Sequence, residues 1–205
     1  MRIRTIALAT GAAAVVLVLA ACTQANNNMG NMPGMDHGGM MNNSSSSSDS
    51  KANMADQMFV TMMIPHHQQA IEMSDLVLGK SGVNQGVRDL AQKIKDAQGP
   101  EIATMKGWLT SWGMPYNDSM SGHDMGGMGD GMMSGDDMAA LESANGPEAS
   151  RLFLEQMIVH HQGAIEMAQS ELKDGQAPEV LALAQAVVDA QTAEIAAMKQ
   201  MLTSL

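Results

Sequence analysis

The stretch FVTMMIPHHQQAIEM, residues 59–73, returns without a gap as FLEQMIVHHQGAIEM, residues 153–167. Its apolar positions step by three and four. Phe59, Met63, His66, Ala70, Met73 and Val77 form one stripe, with Val60, Ile64, His67, Ile71 and Leu78 beside it. This is the period of an α-helix with one broad buried face. The second copy repeats the pattern through Phe153, Met157, His160, Ala164 and Met167, and through Leu154, Ile158, His161, Ile165 and Leu172. Both His pairs therefore fall on the face that a helix buries. Pro65 stands inside the first helix where the second copy has Val159. The proline removes one backbone hydrogen bond and predicts a kink beside the histidines.

A second match follows each copy. Leu90–Gln92 corresponds to Leu183–Gln185, and DAQGPEIATMK at 96–106 to DAQTAEIAAMK at 189–199. These segments carry helical stripes of their own, Leu90, Ile94, Gln98, Glu101, Met105 and Trp108 in one and Leu183, Val187, Gln191, Glu194 and Met198 in the other. Gly82 to Gly86 and Asp174 to Pro178 supply the turns. Each repeat reads as a helical hairpin, and two amphipathic hairpins close most economically as an all-α four-helix bundle.

The rest of the chain reads as address and connection. Residues 1–21 have Arg2 and Arg4, an apolar run from Ile6 to Ala20, and small residues before Cys22, the order of a signal peptide that resembles a bacterial lipobox. That resemblance implies cleavage before Cys22 and its acylation; a plain anchor, or a secretory signal with an incidental Cys, is the alternative. Residues 22–50 read as a lipidated, disordered Met/Ser-rich tether, since Asn, Gly, Met and Ser cannot bury enough apolar area to offset ordering. Residues 51–205 form the bundle: repeat one at 51–112, a Met/Gly/His loop at 113–137, repeat two at 138–205. The single Cys excludes a disulfide framework and a Cys-rich zinc module. A net charge of -11 argues against nucleic acid and suits attraction of cations.

Two sets of residues carry chemistry. Within the helices, Met63 precedes His66 and His67 by three and four, and Met157, His160 and His161 repeat the arrangement; Met62 extends the first cluster. A buried His facing Gln or Glu across the core needs no ligand. Read instead as a metal site, imidazole beside a neutral thioether selects soft ions, Cu(I) first and Ag(I) as its analogue. Outside the helices, Met29, Met32, Met35 and His37 lie in the tether, and Met114, Met120, His123, Met125, Met128, Met132 and Met133 in the central loop. With 23 Met in 205 residues, many sit among Gly where packing cannot use them. Soft-metal wrapping explains such spacing, against compositional drift or an oxidation sink.

Across Met63–Met73, with Ala97–Gln98, Glu101–Ile102 and Met105 downstream, the chain resembles the bacterial family of domain of unknown function 305. That family is similar to the ferritin-like bundles and includes periplasmic copper-binding proteins of the CopM type. The resemblance runs from about Asp56 to Leu202 and implies a ferritin-like bundle and a role in copper binding and tolerance. It puts forward His66, His67, His160, His161, Met63 and Met157 as ligands.

Three functions follow. The first is an extracytoplasmic lipoprotein that buffers, sequesters or hands on Cu(I), with metal ions, the membrane and a copper-donating or copper-accepting protein as partners, no nucleic acid and no enzymatic reaction. The second is a structural or partner-binding bundle without metal. The third, a ferritin-like dimetal oxidase, needs Glu-x-x-His on two helices. Glu72 and Glu166 instead lie five and six residues after their histidines, which turns them away from the imidazole stripe.

Overall fold

Local signals set the helix limits. In the computed structural model, which describes residues 52–117 and 131–205, α1 spans Met54–Leu78. Asn53 and Asp56 start it with a reciprocal capping box, each side chain binding the other's backbone N–H. The helix runs on through Pro65 without interruption. α2 spans Gln85–Ser111 from an Asn84 cap and also contains a proline, Pro100. α4 spans Gly146–Asp174 behind Asn145, with proline in its first turn, and α5 spans Pro178–Leu202 and opens on its proline.

Among the described residues the fold is all-α with five helices rather than four. The additional helix, α3, spans Gly135–Ser143. It corrects the expected loop at 113–137 and the start of repeat two at 138, because α3 straddles that boundary and the second hairpin begins only at Gly146. The Ser134–Asp137 capping box nucleates it, and Leu141, fully buried, anchors it to the core. The first hairpin turn also shifts slightly: it occupies residues 79–84, and Gly86 belongs to α2.

α1 pairs with α2 and α4 with α5, and the two hairpins meet mainly along α1 and α4. α3 lies against both of those helices. The turn after α1 abuts the start of α4 so closely that a Cβ on Gly146 would sit 2.4 Å from the Gly82 carbonyl carbon. Gly82 itself has φ of 78°, a conformation that glycine adopts without steric cost.

The core divides in two at the histidines. Phe59, Val60, Met63 and Ile64, which precede the first pair, share one cluster with Met105 and Leu109 of α2, Ala164 and Ala168 of α4, and Val180, Ala184 and Val187 of α5. Ala70, Met73 and Val77, which follow it, share the other with Leu90, Ile94, Phe153, Leu154, Met157 and Met198. Between the two lies a polar layer.

Candidate metal centre

The layer is built from equivalent positions of the two repeats. His66, His67, His160 and His161 are each at most 1% exposed, and Gln98 and Gln191 are buried beside them. His67 Nε2 lies 2.8 Å from Glu101 Oε2, and His161 Nε2 lies 2.8 Å from Glu194 Oε2. A carboxylate can only accept, so each imidazole donates its Nε2–H there. That fixes the tautomer and leaves Nδ1 of His67 and of His161 as a buried lone pair with no hydrogen-bond partner. Lys93 approaches the other oxygen of Glu194 at 3.7 Å.

His66 and His160 meet across the α1–α4 interface with ring centroids 3.7 Å apart and planes tilted by 40°. The His66 main chain approaches His160 as well. Burial, followed by the charges its neighbours His66, His161 and His67 would carry, pushes the His160 pKa well below the usual imidazole range. His160 is therefore neutral, with a nitrogen lone pair to give. Unmatched polar atoms at this depth oppose folding by roughly 1–3 kcal/mol each, so a core selected for stability alone would not keep them.

The layer thus separates two roles that the sequence pattern could not. His67 and His161 are oriented by carboxylates, the arrangement by which proteins aim a histidine at a metal; His66 and His160 are in mutual contact. Met63 and Met157 are fully buried, one in each apolar cluster flanking the layer. Among the described residues no group of three or more His, Cys, Asp or Glu side chains converges as a metal-holding set. A metal here would need thioether donors as well, or the low coordination that soft monovalent ions accept. Glu72 and Glu166 are exposed and outside the layer, as their spacing predicts.

The chain matches the family described as Domain of unknown function (DUF305) over residues 56–202. It belongs to the DUF305 family. A DUF305 fragment from Deinococcus radiodurans is 33% identical, with a TM-score of 0.67 over 75% of this chain and 99% of that one. CopM in its Cu(I)-bound form is 33% identical, with a TM-score of 0.60 over 74% of this chain and 98% of CopM. Its Cu(II)-bound form is 36% identical, with a TM-score of 0.63 over 73% and 96%. CopM has also been solved with Ag bound. No curated protein matches the chain.

Other residues singled out in this DUF305 sequence fall elsewhere. Met62 is half-buried, on the outer side of α1. Met114 and Met132 are 41% and 37% exposed. Met133 is not free loop: its backbone N–H and carbonyl both bond the Gln69 side chain, and with Met138 it packs against the core. Packing therefore explains these two methionines, contrary to the expectation that the whole segment has no apolar face to bury. Met29, Met32, Met35, His37, Met120, His123, Met125, Met128 and Cys22 lie outside the described residues, as do the signal peptide and the tether. Sequence reasoning missed Met54 and Met58, which are 78% and 59% exposed on a helix; their spacing of four to each other and to Met62 was the available signal.

Proposed function

We propose that this chain is an extracytoplasmic metal-binding protein whose cargo is a soft ion, Cu(I) by preference and Ag(I) as its analogue, held reversibly for buffering, sequestration or transfer. One observation carries the reading: a buried imidazole layer in which carboxylates orient His67 and His161 while their Nδ1 atoms have no hydrogen-bond partner. Thioethers of Met63 and Met157 supply soft donors from either side. Likeness to CopM, solved with Cu(I), Cu(II) and Ag, supports the choice of ion. A Streptomyces coelicolor relative named as a secreted protein, 32% identical, supports a place outside the cytoplasm, with acylated Cys22 as the membrane anchor and residues 22–50 as the tether. Methionines 114–132 and 29–35, with His37 and His123, would collect ions around the bundle. The reading requires no catalysis.

The test is anaerobic titration of the Cys22→Ser chain with Cu(I) against a competing chelator. Replacing His66, His67, His160 and His161 together by Ala should abolish the tightest binding, and deleting residues 118–130, which leaves the α3 cap intact, should lower the number of ions bound. Circular dichroism checks that each variant is folded. If both variants keep the full copper load, the placement is wrong. Absence of wild-type binding at micromolar Cu(I) rejects the function and leaves a bundle whose histidines and glutamates merely satisfy each other.

A further inference from the structure

The repeat makes two equivalent grooves between α1 and α4, and among the described residues only one is filled. In the first, α3 lies over Leu76 of α1, Lys80 in the turn after it, and Leu152 and Gln156 of α4. Gln156 Nε2 donates to the Asp137 carbonyl at 2.9 Å, Lys80 Nζ to the Glu142 carbonyl at 2.5 Å, and Leu141 plugs the apolar floor. The equivalent groove, between the start of α1 and the end of α4, is open, with a volume of about 450 Å³. Met54, Met58 and Met62 line one wall, and Met167 and Glu171 line the other.

The second copy acts as an internal control on what the fold needs at these positions. Where α1 has Met54, Met58 and Met62, α4 has Glu148, Leu152 and Gln156. Where α4 has Glu171, α1 has Val77. Packing is therefore served by other residues, and a buried carboxyl is a costly replacement for valine. Glu171 is nonetheless 2% exposed, and neither of its oxygens receives a hydrogen bond from a donor group. Three thioethers spaced by four fall on one helix face, with successive Cβ atoms roughly 5–6 Å apart, so that Met58 can share an ion with either Met54 or Met62 through flexible side chains. Met54 and Met58 gain nothing from burial where they stand.

We propose that this open groove is a second soft-cation site, separate from the histidine layer, which takes Cu(I) or Ag(I) on the Met58 thioether together with Met54 or Met62 one turn away and Met167 across the groove. A neutral thioether set gives selectivity for a soft monovalent ion, which accepts the low coordination that two or three thioethers supply. The site faces solvent, so it can take up an ion that the buried layer cannot meet directly. The proposal rests on the soft-ion reading above but not on the histidines.

The test is NMR of the Cys22→Ser chain labelled at the methionine ε-methyls and titrated with Ag(I). The methyls of Met54, Met58, Met62 and Met167 should shift early, and should still shift when His66 and His160 are replaced by Ala. Replacing the four methionines by Leu, which keeps volume and apolarity, should remove about one bound Ag(I), the load expected of a single site. Glu171→Val, the residue that the other copy buries, should leave the Ag(I) shifts of these methyls in place, because the thioethers and not the carboxyl hold the ion. If other methionines respond while these four stay still, the inference fails and the proposed function stands. Shifts that follow protein concentration instead of Ag(I) also overturn it, since they mark a docking face. If no methionine responds and no Ag(I) binds, the soft-ion reading itself fails.

Discussion

Glu171 couples the chain's folding to pH. Burial, with Asp56 and Asp174 beside it, pushes its pKa up to about 8 from an ordinary 4.5. Burial also acts to raise the Asp56 pKa, but hydrogen bonds from the Ala177 and Asn53 main chain, among others, outweigh it and hold Asp56 below its usual range. The native state thus keeps a proton on Glu171 that the unfolded chain loses above pH 4.5. Stability contributed through this group falls as pH rises from about 4.5 to about 8 and is unaffected below that window. Glu171→Gln, which can still donate to Asp56, should match wild type near pH 5 and exceed it near pH 8.5 by up to roughly 4 kcal/mol. Urea denaturation at both pH values measures this; a pH-independent difference would contradict the assignment. In the layer, Glu101→Ala and Glu194→Ala remove the groups that orient His67 and His161. Each should weaken Cu(I) binding by about 10- to 100-fold, read by chelator competition; Glu101→Ala should cost less stability than Glu194→Ala, because Glu101 is partly exposed and Glu194 is buried.

At the level of elements, α3 and the proline-bearing helices are the informative pieces. α3 has nine residues, too short to persist without its cap and its one anchor. Ser134→Ala should cost about 1 kcal/mol of local stability, seen as faster amide exchange over 135–143 with little change in the melting of the long helices. Leu141→Ala should release α3 and open the groove that it fills, at roughly 2–5 kcal/mol. Pro65 leaves the Thr61 carbonyl without its helical N–H, whereas the equivalent Val159 keeps its own. Val159 is half exposed, so its site has room to spare. Pro65→Val should therefore raise the melting temperature, by about 1–3 kcal/mol of added stability; a drop would mean that the α1 backbone beside His66 depends on the proline.

For the whole molecule, two apolar clusters clamp a polar layer that neither could satisfy alone. A ligand that binds only this folded arrangement must stabilise it, by about 2.7 kcal/mol at a hundredfold excess over the dissociation constant. Anaerobic calorimetry with Ag(I) should show the melting temperature rising with ion concentration, and Mg(II), a hard ion that thioethers do not hold, should leave it unchanged.

The sequence by itself determined the helical hairpins, their duplication and the burial of both His pairs, because a period near 3.6 and an ungapped repeat are local, one-dimensional signals. The family was legible for the same reason. Tertiary structure alone decided which histidines are held by Glu101 and Glu194 and which two face each other, since that depends on how the α1 and α4 faces cross. It likewise decided that Met133 and Met138 pack, that α3 covers one groove, and that Met54, Met58, Met62 and Met167 border the other. These facts join residues well separated along the chain, 33 positions for His161 and Glu194 and 64 for Gln69 and Met133, and no spacing along the chain encodes which of two equivalent grooves a short helix will fill.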